Sequence, residues 1–235
     1  MKAMKIVKNA MLLAMMGLVC MWSAQAGASP IPSLNNTGFG AGGVDSNYSL
    51  IVNAQTPGNT SAYIAPDDTW PVSGTYVRPW VANSTTSKWI TPQLIPDTGY
   101  PGYVSNTPGS YTYETTFNLT GFNPGTVSIT GKWWTDNYRG SILLNGVSIY
   151  SPVANEPFGG QSYNTFTINS GFRAGVNTLD FVVQNELNYA GYGDPSGLRV
   201  EFTSSDATPV PLPPAVLLLG SGLLGLSFIR RKIKK

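Results

Sequence analysis

The chain of 235 residues contains no histidine and a single cysteine, Cys20, and only 11% of its residues are charged. Each scarcity removes a class of function. Without histidine there is no imidazole general base, no Ser–His or Cys–His nucleophile pair and no imidazole-held metal. Cys20 lies in an apolar stretch near the N-terminus, so a chain cut after residue 26 has neither a disulfide nor thiol chemistry. Val19 precedes Cys20 where a lipid acceptor wants a small residue, which argues against lipidation. Charge is segregated as well as sparse. Residues 27–207 carry all 12 acidic residues against six basic ones (Arg78, Lys88, Lys132, Arg139, Arg173, Arg199), a net of −6 hidden within the formal +2 of the whole chain. A body of that charge is unsuited to nucleic acid, which is held by clustered Lys and Arg. What is plentiful instead is Thr, Ser, Asn, Gly and Tyr, the composition of an extracellular β protein.

The basic residues gather at the ends and read as addresses. Residues 1–26 have the form of a secretory signal peptide. Lys2, Lys5 and Lys8 precede the apolar stretch 10–22, and Ala24-Gln25-Ala26 is an Ala-x-Ala site for signal peptidase, leaving Gly27 as the mature start. At the other end, Leu212 to Ile229 is an uncharged run of 18 residues, enough to cross a hydrocarbon core of about 30 Å at about 1.5 Å per residue. Arg230, Arg231 and Lys232 follow, with Lys234 and Lys235, and keep that end cytoplasmic. A plain single-pass membrane anchor has the same hydropathy. The ordered set of Val210-Pro211-Leu212-Pro213, Gly220-Ser221-Gly222-Leu223-Leu224-Gly225 and Arg230-Arg231-Lys232 resembles the PEP-CTERM sorting signal in its Val-Pro-Leu-Pro variant, with Leu212 in place of the family's glutamate. The resemblance implies recognition by an exosortase, cleavage near the proline motif, and delivery from an inner-membrane intermediate to the outer surface or extracellular matrix of a Gram-negative bacterium. The expected layout is a signal peptide at 1–26, an irregular lead-in at 27–43, a β body at 44–204 and the sorting signal at 205–235. Within that signal the proline motif is 209–214, the membrane helix 212–229 and the basic tail 230–235.

The middle of the chain shows no repeat, no heptads and no amphipathic helix. Short runs of alternating apolar and polar residues are separated by Gly, Pro and Asn. The clearest is 111–119, where Tyr111, Tyr113, Thr115, Phe117 and Leu119 share one face. Further strands are expected at 48–54, 126–134, 141–144, 147–150, 163–168, 178–183 and 198–203, with connections at 121–125 and 171–175 and a linker at 204–209. Asn145-Gly146 between two of these runs is a two-residue type I′ hairpin signal. Eight or more strands without helices predict an all-β fold, a two-sheet jelly-roll sandwich. Trp133-Trp134-Thr135-Asp136-Asn137, Ile142-Leu143-Leu144-Asn145-Gly146-Val147 and Gly175-Val176-Asn177-Thr178-Leu179 resemble the galactose-binding-like jelly roll over about residues 109–203. Such domains are common in bacterial surface proteins and as accessory modules of glycosidases.

Two site readings compete with a purely structural one. Exposed aromatic rings beside Asp and Asn make sugar sites, because the rings stack on apolar sugar faces while fixed polar groups meet hydroxyls. Trp133, Trp134, Asp136, Asn137, Asn188, Tyr189 and Tyr192 are the candidates, with exopolysaccharide as the partner. Trp133 and Trp134, adjacent in a strand, point to opposite faces, so one is core and the other exposed or beneath a loop. Trp70, Trp80 and Trp89 enlarge the aromatic pool. Asp136 and Asp194, with Asn137 and Glu201, are candidate oxygen ligands for a structural calcium. Paired-carboxylate hydrolysis stays chemically open through Glu114, Glu156, Glu186 or Asp194, though no two form a recognisable pattern. Glu114 reads more simply as a solvent-facing strand residue, and Asp67-Asp68 as a turn. The expectation is a non-catalytic surface or matrix protein. A carbohydrate-binding adhesin is the alternative and a secreted glycosidase the lesser one.

Overall fold

Thr, Val, Ile, Tyr and Phe alternating with polar residues favour pleated, half-buried backbone, and the described part of the chain is built from strands and their connections. The computed structural model describes residues 27–66, 80–94, 97–100, 103–150, 160–187 and 194–211. The expected signal peptide, the membrane helix with Leu212, Pro213, Arg230 and Arg231, the loop residues Asn188, Tyr189 and Tyr192, and Asp67, Asp68, Trp70 and Glu156 lie outside them. Among the described residues thirteen strands occur in order: β1 (Ser29–Pro30), β2 (Val44–Asn53), β3 (Ser61–Ile64), β4 (Ile90–Thr91), β5 (Asp97–Tyr100), β6 (Tyr103–Ser105), β7 (Gly109–Asn118), β8 (Ser128–Asp136), β9 (Tyr138–Leu144), β10 (Val147–Tyr150), β11 (Asn164–Ile168), β12 (Val176–Asn185) and β13 (Gly197–Ala207). A 3₁₀ turn, Pro124–Thr126, is capped by the Asn123 side chain. No helix among the described residues is long and apolar enough to cross a membrane.

The pairings are antiparallel and run β10-β9-β12-β7-β2-β3-β4-β13-β8-β11, with β1 added to β13, while β5 and β6 form a separate hairpin. The path narrows at β4, which meets β13 only through Leu198 opposite Ile90. There the sheet turns back on itself. Phe181 on β12 lies 5.8 Å, ring to ring, from both Trp133 on β8 and Phe166 on β11, strands that it does not pair with. The two halves therefore pack face to face as a β-sandwich.

The face read from 111–119 is the one that is buried: Tyr111, Tyr113, Thr115, Phe117 and Leu119 are all within the core, and Thr116 and Asn118 are exposed. Leu50, Ile129, Trp133, Ile142, Leu144, Leu179, Phe181, Val183, Leu198 and Val200 complete it. Each such side chain contributes about 1.5–3 kcal/mol through burial. Gly131 makes room for the Phe166 ring, since a Cβ there would stand 2.5 Å from its Cζ.

The Asn145-Gly146 turn has positive φ at both residues, 53° and 79°, as a type I′ turn requires. Asn177, fully buried, ties that turn to the 171–175 connection. Its Oδ1 accepts from Arg173 N and Asn145 Nδ2, its Nδ2 donates to Arg173 O and Gly175 O, and Asn145 Oδ1 accepts from Thr178 N. Two boundaries differ from expectation. Residues 204–207, read as linker, continue β13 in register with β8, Asp206 lying opposite Ser128. The lead-in is irregular but anchored: Thr37 N donates to Val200 O, its hydroxyl accepts from Val200 N, and Asn36 Oδ1 accepts from Phe202 N. It stands in for the strand that β13 lacks beyond Leu198, where a bare edge would expose unpaired amides. The folded body runs accordingly from Ala28 to Thr208.

Candidate functional site

Trp133 and Trp134 point to opposite faces of β8, as adjacent strand residues must. Trp133 is in the main core, edge-on to Tyr150 at 5.6 Å. Trp134 joins Ala65, Trp80 and Trp89 in a second apolar cluster on the outer face. Tyr163 lies 5.2 Å from the Trp134 ring and the Arg199 guanidinium 4.8 Å from it. The Trp80 and Trp89 rings lie 4.3 Å apart, tilted by 32°. All four indoles are buried, at 0–6% exposure. The sugar platform expected of Trp133 or Trp134 is thus replaced by packing, because the segment 80–94 covers the outer face of the sheet.

Arg199 holds that cover in place. Its guanidinium donates to Ser87 Oγ at 2.8 Å, Ala82 O at 2.6 Å and Ser84 Oγ at 3.1 Å, and it lies 3.9 Å from Glu201. Glu201 accepts in turn from Ser87 Oγ and Lys132. Burial lowers the Arg199 pKa and the Glu201 charge opposes the shift.

Of the candidate calcium ligands, Asp136 and Asp194 are joined through Asn137, while Glu201 lies with Ser87 and Lys132. Asn137 Nδ2 donates to Asp136 Oδ1 at 3.2 Å and to Asp194 Oδ2 at 3.1 Å, and Asn137 Oδ1 accepts from Glu186 N, which fixes the amide's orientation. Trp80 Nε1 donates to the other Asp136 oxygen at 2.7 Å. Burial raises the Asp136 pKa to about 7 against the Trp80 hydrogen bond, and the Asp194 charge adds to the rise. Donors face both Asp136 oxygens, and an amide nitrogen occupies the position between the two carboxylates where a cation would need six to eight oxygens. The donor set does not fit calcium; it fits a hydrogen-bonded loop anchor. Among the described residues no three acidic, Cys or His groups converge on a metal position.

One pairing was not foreseen. Glu114 lies directly opposite Asp180 across β7 and β12. Burial, then the charge of Glu114, raises the Asp180 pKa to about 6.

A second unforeseen feature is a groove of about 580 Å³ where the lead-in meets β2 and β13, walled by Phe39 and Phe202 and lined by Asn35, Asn47, Thr86 and Ser205. Phe39 is 41% exposed, while Phe202 sits edge-on to Phe166. Asn35 Nδ2 donates to Asn47 Oδ1 at 3.2 Å, holding the two amides side by side. A shallower groove of about 350 Å³, sharing Phe202 and Ser205, continues along β13 to Asp206 and Pro30. The lead-in's Asn residues with a phenylalanine among them were the signal for it, in a stretch that reads as filler.

No protein-family model and no curated protein matches the chain. Among solved structures, a family 35 carbohydrate-binding module from an environmental isolate is similar to it at 16% identity, over 51% of this chain and 88% of that one. Its TM-score of 0.27 is too low for the likeness to carry argument.

Proposed function

We propose that the chain is an exported, non-catalytic protein of the cell surface or extracellular matrix, carried there by two terminal addresses that flank a jelly-roll sandwich. What carries this reading is the sequence of the two ends beside the extent of the folded body, Ala28 to Thr208: in the chain order Ala24-Gln25-Ala26 precedes that range and Val210-Pro211-Leu212-Pro213 follows it. The last ties of that body are Asn123 N to Thr208 O and Thr208 N to Thr126 Oγ1. Val210, just beyond them, is 53% exposed, as a processing site needs to be. The hydropathy and charge pattern that follows suits a membrane segment held by a cytoplasmic basic tail, and the proline motif suits an exosortase. The Asn145-Gly146 turn and the Asn177 clasp support the galactose-binding-like form of the sandwich. Non-catalytic character is supported by the absence of histidine and by the hydrogen bonds that engage Asp136, from Trp80 and Asn137.

Mass spectrometry of the protein from its native cells tests this. The expected product has lost residues 1–26 and everything after the proline motif. An intact C-terminus on surface-located protein reduces the tail to an ordinary anchor. A second reading, a carbohydrate-binding adhesin, is favoured by the groove between Phe39 and Phe202, where ring faces and amides meet as sugar sites require.

A further inference from the structure

We infer that the groove between the lead-in and β13 binds an uncharged polysaccharide chain, with Phe39 as the stacking ring and Asn35 and Asn47 as the hydroxyl readers; this rests on the adhesin reading and names its site and ligand class.

The first support is chemical. Of the polar groups in the groove, Asn35 Oδ1, Asn47 Nδ2, Thr86 Oγ1 and Ser205 Oγ have no hydrogen-bond partner among the described residues, while Asn36 is engaged at both ends, to Thr86 O and from Phe202 N. An amide oxygen beside an amide nitrogen presents an acceptor and a donor together, the pair that neighbouring hydroxyls on a sugar ring require. Phe39 supplies an exposed apolar face next to them. No charged side chain lines the larger groove. Asp206 at the far end of the continuation would repel a uronate or a sulfated sugar, so the lining selects a neutral ligand.

The second support is rigidity. Asp45 is buried, and its carboxylate accepts from the backbone N–H groups of Gly38, Phe39, Asn47 and Tyr48. One side chain therefore fixes the backbone beneath both the stacking ring and a hydroxyl reader. Ser46 Oγ donates to Phe39 O and closes the same turn. A preorganised site loses less entropy on binding than a loose one. Asp45 is a positioning residue here and contacts no ligand. The third support is shape. The larger groove has the volume of an ordinary small-molecule site, about 300–1,000 Å³. The stretch of β13 that floors its continuation, Phe202 to Asp206, adds about 13 Å at about 3.3 Å per residue, which suits a chain better than a single sugar.

The test is affinity electrophoresis of the full chain in detergent through gels containing dextran, galactomannan, xyloglucan or, as the charged control, alginate. Retardation by at least one neutral polymer and none by alginate is expected. Phe39→Ala and Asn47→Ala each weaken the retardation about tenfold or more, Phe39→Tyr retains it, and Tyr163→Ala, an exposed ring elsewhere, leaves it unchanged. Thermal melting confirms that these surface variants stay folded. Retardation by a neutral polymer that survives Phe39→Ala and Asn47→Ala overturns the groove and leaves the adhesin reading standing. Retardation by alginate alone overturns the ligand class, and retardation by none of the four overturns both.

Discussion

The outer face around Trp134 and the groove beside Phe39 make an instructive pair. The first has what a binding site advertises in sequence: tryptophans, paired aspartates, an arginine. The second is built from a Gly- and Asn-rich stretch that looks like a spacer. In the folded chain their roles exchange. Around Trp134 the aromatic faces are covered and the charged groups have protein partners: Arg199 donates to Ser87, Ala82 and Ser84, and Asp136 accepts from Trp80 and Asn137. In the groove an aromatic face stays open, and Asn35 Oδ1 and Asn47 Nδ2 are left to solvent. Residue type alone therefore does not mark a site. What marks it is hydrogen-bonding capacity and ring area that the fold leaves unused.

The largest expected effect falls in the core on the opposite face of β8 from the first region. Trp133→Ala removes a fully buried indole that contacts Phe181 and Tyr150 and should cost about 3–5 kcal/mol in chemical denaturation. Tyr163→Ala, on the open side of Trp134, should stay within about 0.5 kcal/mol. Similar losses for the two would contradict the division between core and surface made here.

Acidity sharpens the first region. The folded pKa of Asp136, about 7, lies above its ordinary 3.8. The native state therefore holds a proton that the unfolded chain has released, and stability falls as pH rises through this window and levels off above it. Asp180, raised to about 6, acts in the same direction over the lower part of that range. At about 1.4 kcal/mol per unit the Asp136 contribution is on the order of 4 kcal/mol. Asp136→Asn should flatten urea-derived stability between pH 6 and 7, whatever it does to the absolute value. An unchanged slope would mean that the carboxylate is already ionised in the fold. Next in size is Arg199→Ala, expected to cost about 2–3 kcal/mol by leaving Ser87 Oγ, Ser84 Oγ and Ala82 O without their donor. Arg199→Lys should recover little of it, because an ammonium cannot reproduce three fixed directions over the Trp134 ring.

Much of the fold was legible because its strands are long enough to show a period. The eight runs expected between 48 and 203 correspond to β2 and β7–β13, and the buried face of β7 is the one the alternation selects. β1 and β3–β6, of two to four residues, are too short to show a period, and their loss hid the narrow point where the sheet folds over. Asp136, Asn137 and Asp194 were grouped in the sequence only as oxygen ligands; that donors would face those carboxylates was not legible, since Trp80 reaches Asp136 across 56 residues. The groove was illegible for a related reason. Thr37 and Val200 are 163 residues apart, and nothing local to the lead-in reveals that it replaces a missing strand.

The smallest expected effect bears on the second region. Phe39→Ala removes a ring that is 41% exposed and should change stability by no more than about 0.5 kcal/mol. Asp45→Asn offers the contrast. A neutral amide accepts on one oxygen only, so of the four backbone donors now shared between Oδ1 and Oδ2 some lose their acceptor, at about 1–3 kcal/mol. If the groove is a site held ready by its supports, the two variants should both weaken polysaccharide retardation about tenfold or more while differing clearly in melting temperature. If Phe39→Ala destabilises as much as Asp45→Asn, the ring is a piece of the fold like those around Trp134, and the distinction between the two regions disappears.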